Sequence, residues 1–239
     1  MKKKILSFLF VALLSLGLTA SPAAAEQTLD TIAVDGEVSQ EMAPDMATLY
    51  LNITNQEDTV EEARNATAGT TGKITRALLA QGVTSADIKT TNYNMSPVYL
   101  RDKQGKSKLK GYRVSTSLQV TVNNLAQAGT IIDSCLASGA SRLDGINFGL
   151  QNRKLIERQL LAAAVENARA KAAIVAQAGG RALGTLRYAS LGRVAGMTYR
   201  ANAPAKLAAT ADSEHSAPTE INPGSLNVSV HVNTVFGLN

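Results

Sequence analysis

Histidine, cysteine and clustered charge are the residues of this chain best suited to chemistry, and they are few. The two histidines are His215 and His231, and the one cysteine is Cys135. A hydrolase needs a nucleophile beside a base, and a metal site needs several convergent ligands. Neither histidine belongs to a cluster of His, Cys and carboxylate at ligand spacing. A Gly-x-Ser-x-Gly elbow is absent from the sequence. The run GGRALG ends a helical pattern instead of opening one, so its amides point away from where a phosphate would sit. No catalytic, cofactor-binding or metal-binding residue is assigned.

Cys135 is the one hook for redox work. Its spacing sets it on an apolar stripe with Ile131, Ile132 and Leu136, where a thiol behaves as a small inert hydrophobe. Residues 101–110 gather Arg101, Lys103, Lys106, Lys108 and Lys110 against a single acid, Asp102. As a solvated turn, that charge discourages edge aggregation. As a contact, it fits an anionic envelope component or an acidic patch on a neighbour.

The elements that must position these residues are legible from period. KGYRVSTSLQVTVNN, residues 110–124, alternates Tyr112, Val114, Thr116, Leu118, Val120 and Val122 against Arg113, Ser115, Ser117, Gln119 and Thr121. That is a strand with one buried and one wet face. Residues 87–100 read as its hairpin partner, with Tyr93, Met95, Pro97 and Tyr99 on one side and Pro97 marking an edge or a bulge. Residues 29–39 and 46–54 read as two strands joined by a turn at Pro44. Further strands are expected at 142–150, 182–192 and 225–236. Helical spacing covers 56–81, where Val60, Ala63, Thr67, Ile74, Ala77 and Leu78 recur, with a kink anticipated near Gly69 and Gly72. It returns at 124–138 and at 151–178. In the last of these Leu161, Ala164, Val165, Ala168, Ala172 and Val175 mark one face. Helix, glycine, strand recurs at Gly82, at Gly139 and at Gly179-Gly180.

A helix of 28 residues is about 42 Å long and a strand of 13 residues about 43 Å. The fold class expected is therefore α+β: one long, mostly antiparallel sheet of about seven strands, with three helices on one face. Residues 193–223, rich in Ala, Pro, Thr, Ser and Asn, read as a flexible excursion within a single domain.

The first 25 residues read as a cleavable secretory signal. Lys2, Lys3 and Lys4 precede an apolar run, and Ala23-Ala24-Ala25 offers a cleavage site before Glu26. The run is short for a spanning helix, and no later stretch is apolar enough to cross a bilayer. Taking the three signal lysines from the 24 basic residues leaves 21 against 19 acidic, a net of +2. So diffuse a charge gives no nucleic-acid footprint. A lone cysteine cannot bridge within its own chain, and residues 26–239 are enough to bury a core without staples.

The stretches GVTSADIKTTNYNMSPVY, GYRVSTSLQVTV, GASRLDGINFGL, AVENARAKAAIVAQAGGRALG and INPGSLNVSVHVNTVF, together with APDMATL near the start, stand in an order that resembles the SIMPL-domain family (DUF541) of bacterial exported proteins. The resemblance covers about residues 29–238. It implies an α+β domain in the periplasm or cell envelope, a link to oxidative-stress defence, and large ring-like or channel-like oligomers in some members. It brings no agreed catalytic residues. Pro44-Asp45, Asp87-Ile88 and Pro97-x-Tyr99 match family positions as turn and strand determinants. The function expected is that of a non-enzymatic periplasmic protein acting through homo-oligomeric assembly, without a cofactor. The alternative is a periplasmic module binding a small ligand or a partner.

Overall fold

A computed structural model describes residues 30–191, 195–200 and 219–239, the middle group by its backbone alone. The signal segment 1–25, His215 and most of the 193–223 excursion lie outside the described residues. The strands are β1 (Thr31–Met42), β2 (Met46–Glu57), β3 (Ile88–Arg101), β4 (Ser107–Val122), β5 (Arg142–Gly149), β6 (Leu183–Leu191), β7 (Ala195–Arg200) and β8 (Ser225–Leu238). The helices are α1 (Val60–Ala80), α2 (Ala128–Ala137) and α3 (Arg153–Ala178), with short 3-10 turns before β3 and α2.

The α+β class is the one expected, but there are two antiparallel sheets in place of one. The first runs β3-β4-β2-β5. The second runs β1-β8-β6, and β7 pairs with β8 beyond the point where β6 leaves it. Alternation reveals that a segment is a strand without naming its partner. β1 and β2 are separated only by Ala43, Pro44 and Asp45, yet they do not pair. β8 takes the whole length of β1, from Thr31 opposite Gly237 to Met42 opposite Leu226. The chain therefore changes sheets at Pro44. The helices divide accordingly: α1 and α2 cover the first sheet, and α3 covers β1 and β8 of the second. β7 falls within the stretch read as an excursion.

Each helix follows its sequence cues. α1 opens on a reciprocal cap: Glu62 N donates to Thr59 Oγ1 at 3.2 Å, and Thr59 N donates to Glu62 Oε2 at 3.2 Å. It runs unbroken through Gly69 and Gly72. Thr67, Thr71 and Thr75 donate their hydroxyl protons to the carbonyls of Ala63, Thr67 and Thr71 at 2.8–2.9 Å, which satisfies polar groups in a threonine-rich helix. All three helices end alike. A glycine with positive φ (Gly82, Gly139 or Gly180) lets the next amide reach back five residues, to Leu78, Cys135 and Ala176 respectively.

Of the residues expected on one face of α1, Ala63, Thr67, Ile74 and Leu78 are buried, Ala77 is half-buried and Val60, in the first turn, is exposed. Of those of α3, Ala164, Ala168 and Ala172 are buried and Leu161 and Val165 pack half-buried against the core, so only Val175 departs from expectation. Leu160, Ala164, Ala168, Ala172 and Ala176 are buried, while Val175 is exposed. An alanine stripe lets a helix axis approach a sheet closely, and hydrophobicity alone mistakes larger exposed residues for the contact face. Leu136 of α2 is likewise exposed.

The main core lies under α1 and α2, built from Leu49, Leu51 and Ile53 of β2, Leu118, Val120 and Val122 of β4, and Ile74, Leu78, Ile131 and Cys135 of the helices. A second core joins α3 to Leu226, Val228, Val230 and Val232 of β8, and Phe236 completes a third cluster with Ala168 and Ala172. The uncovered face of the first sheet is a network of small polar groups. Thr54 Oγ1 donates to Asn52 Oδ1 at 2.8 Å and lies 2.9 Å from Ser115 Oγ.

Candidate functional site

Cys135 follows directly from the packing of α2. Asn124 caps the turn before the helix by accepting from Ala126 N at 3.2 Å. The helix then lays Ile131, Ile132 and Cys135 onto the first sheet. The thiol is wholly buried, and that burial pushes its pKa up to about 11. At neutral pH almost no thiolate forms, and thiolate is the species that reacts with peroxide or disulfide.

His231 lies on β8, paired with Glu37 across the ladder. One ring nitrogen, Nε2, is 3.2 Å from Asn233 Oδ1. Sequence reasoning found no ionisable company for it, and here the structure adds something. A groove of about 450 Å³ beside the first turns of α3 is lined by Lys154, Glu157, Arg158, Leu161, Leu191, Val230 and His231. Its floor is apolar and its rim carries two cations, with Glu157 held by Arg153. Among the described residues no serine, threonine or cysteine lines it, so none of them offers His231 a nucleophile to activate. Chemically, the groove suits a small amphiphilic anion. The long gap in sequence between α3 and β8 hid it.

The hairpin of β3 and β4 carries the basic stretch at its tip. Asp102 Oδ1 accepts from Gln104 N at 2.9 Å and from Lys106 N at 2.8 Å, so this acid builds the turn. Among the described residues none of the five cations of 101–110 enters an ion pair, and all are exposed. β3 is an edge strand, as Pro97 suggested. α1 lies over β2 and β4 and stops short of it, leaving a groove of about 590 Å³ lined in part by Thr71, Thr75, Arg76, Thr90 and Tyr93. Tyr93, Met95 and Tyr99 are therefore 53%, 42% and 58% exposed, and Leu100 and Leu109 are exposed beside them. Alternation put Tyr93, Met95 and Tyr99 on one side, but it could not say whether a helix would reach them.

The motif residues act at turns and seams. Gln151 N donates to Asp45 Oδ1 at 2.7 Å, which ties the sheet-changing turn to the start of α3. Thr84 Oγ1 donates to Asp87 Oδ2 at 2.7 Å ahead of β3. A second seam was not foreseen. Asp133 of α2 accepts from Thr219 N at 2.9 Å and from Thr219 Oγ1 at 2.6 Å. Those two bonds, the side-chain one first, lower the Asp133 pKa against a smaller opposing effect of burial. Among the described residues no three His, Cys, Asp or Glu side chains are grouped to hold a metal, and no helix is long and apolar enough to cross a membrane.

Comparison with known proteins gives the geometry a context. The chain is similar to the 26 kDa periplasmic immunogenic protein of Brucella melitensis, with 30% identity over 233 residues and 93% of each chain covered. It is 28% identical over 176 residues to the uncharacterized protein YggE of Edwardsiella ictaluri, covering 72% of this chain and 74% of that one. With YggE of Escherichia coli K12 the identity is 27% over 190 residues, covering 77% and 76%. A family model described as SIMPL, protein of unknown function (DUF541), matches residues 32–236, which takes in every described strand and helix in part or whole, and the chain belongs to that family.

Proposed function

We propose that this protein is exported to the periplasm and works in the cell envelope by assembling with copies of itself, without catalysing a reaction. The periplasmic placement draws on the name of the Brucella relative and on the leader-like first 25 residues. The observation that carries assembly is the uncovered hairpin: Tyr93, Met95, Tyr99, Leu100 and Leu109 all stand in solvent on one projecting element. Large apolar residues left exposed along one element of a well-packed chain mark a contact surface. The non-enzymatic part is supported by the buried, weakly acidic Cys135 and by a His231 that has no nucleophile beside it among the described residues. The assembly serves envelope integrity or defence against oxidative stress, with the basic hairpin tip meeting an anionic envelope component. Light scattering of residues 26–239 across a wide concentration range tests the reading. A discrete oligomer is expected, and a monomer at every concentration overturns it.

A second reading has its own observation. The groove at Lys154, Arg158, Leu161 and Val230 fits a small amphiphilic carboxylate, as a periplasmic binding module would require. Decanoate added to the protein then protects the first turns of α3 in hydrogen exchange, and Lys154→Glu abolishes that protection.

A further inference from the structure

Edge strands of soluble proteins are normally guarded by charge, by shortness or by bulges, because their free amides and carbonyls invite another strand. Three edges here follow that rule. β5 has only eight residues, carries Arg142 and Asp144, and is bulged. β1 carries Asp35, Glu37 and Glu41. β6 carries Arg187 and shifts register twice against β8. β3 is guarded less: it shifts register twice against β4 and carries Pro97, but its charges, Lys89 and Arg101, stand only near its ends. It has 14 residues, and from Thr90 to Leu100 not one is charged. Its exposed apolar residues lie beside that open edge.

We infer that β3 pairs antiparallel with β3 of a second copy about a two-fold axis at Asn94, joining two four-stranded sheets into one. This rests on the assembly reading above and names its contact. The register follows from proline and charge. Pro97 has no amide hydrogen, so on an edge strand its nitrogen faces away from the neighbouring β4. Backbone alternation then turns the amides of Tyr93 and Met95 outward as well. An axis at Asn94 sets Tyr93 opposite Met95 of the second copy, where each pair exchanges two backbone hydrogen bonds and the thioether meets the ring. The same axis sets Lys89 opposite the second copy's Tyr99 and Arg101 opposite its Asp87. Thr91, bulged against β4, meets the second copy's Pro97, so the two breaks in the ladder coincide. Moving the axis to Met95 would set Lys89 against Arg101, a like-charge pair. The contact is isologous and self-limiting at one edge, and the basic tips end far apart.

Asn94 would occupy a non-hydrogen-bonded pair, whose Cα separation of roughly 4.5 Å lies within the range a disulfide spans. The test is Asn94→Cys under mild oxidation, with the unaltered protein as control because Cys135 is buried. Most of the variant is expected as a cross-linked pair. Asn92→Cys and Ser96→Cys should each stay uncrosslinked alone and form a heterodimer when mixed. Met95→Lys, at an exposed site, should weaken self-association at least tenfold. If the unaltered protein is oligomeric by mass but Asn94→Cys does not cross-link, or cross-links no better than Ser96→Cys, this contact is wrong and assembly stands by other surfaces. If the unaltered protein is a monomer throughout, the assembly reading falls and this contact with it.

Discussion

A methyl group placed on Gly36 would stand 2.0 Å from the carbonyl oxygen of Ala164 and 2.9 Å from the Cβ of Ala168. β1 and α3 therefore meet backbone to backbone, and the alanine stripe of α3 exists to permit it. Neither side of that contact is a flexible side chain, so nothing nearby yields cheaply.

Gly36→Ala is expected to destabilise the protein by ~1–3 kcal/mol or more, the range for overfilling a packed core. Gly69 supplies the contrast. Nothing lies within 4 Å of a Cβ there, and it sits inside α1. Gly69→Ala should stabilise by about 0.5–1 kcal/mol, since alanine loses less entropy in a helix. Urea unfolding of both variants gives opposite signs; equal shifts would mean that α3 does not lie on β1 as described.

Cys135 should resist iodoacetamide at pH 7.5 for as long as the protein stays folded, and react once urea unfolds it. The raised thiol pKa also fixes a pH effect. The unfolded thiol ionises near 9.0 and the folded one near 11. The stability associated with the neutral buried thiol is thus fully present below pH 9 and is lost as pH rises toward 11. Cys135→Ser should abolish that alkaline slope while lowering stability at pH 7 by ~1–3 kcal/mol, because a hydroxyl replaces the sulfur in an apolar site. Rapid labelling of the folded protein would reopen a redox role.

What the sequence disclosed depended on how local the physics was. The β4 alternation and the three glycine stops each involve contacts within a few residues and stand as read, and the α1 face does so except at Val60 and Ala77. Sheet membership did not, because β1 finds its partner in β8, almost two hundred residues on, and no period encodes that choice. The α3 face was misjudged only at its edge, for a related reason: the close approach of β1 at Gly36 centres the contact on Ala164 and Ala168 and leaves Val175 exposed. The groove around His231 and the clasp at Asp133 each join distant segments and were invisible for the same cause. Exposed Tyr93 was half legible, since Pro97 marked the edge but nothing in the sequence gave the reach of α1.

The reciprocal cap at the start of α1 is a local prediction of a different kind. Thr59→Ala leaves the Glu62 amide without its acceptor and frees the Glu62 carboxylate from the Thr59 amide. The expected cost is about 1 kcal/mol, with Thr59→Ser recovering most of it. The measurement is a shift in urea midpoint at unchanged slope; a change in slope instead would point to an altered compactness and not to a lost cap.

Asp133 and Thr219 carry the pH dependence of the seam before β8. A hydrogen-bonded carboxylate with a lowered folded pKa stabilises the folded state above the unfolded pKa, near ~3.9, and that contribution is lost as pH falls through the folded value. Replacing the acid by a neutral acceptor of the same shape isolates the charge. Asp133→Asn should therefore be less stable than the unaltered protein at pH 7, and the gap should narrow as pH falls below the unfolded value of ~3.9 toward the lowered folded one. Urea unfolding of the two proteins at pH 7, 5, 4 and 3 measures the gap directly. Because Thr219 O also lies where a Cβ on Gly129 would be, at 1.9 Å, Gly129→Ala loosens the same seam by steric means. Its cost should be independent of pH over this range. A gap for Asp133→Asn that stays constant with pH, like that of Gly129→Ala, would show that the clasp holds by shape and not by charge.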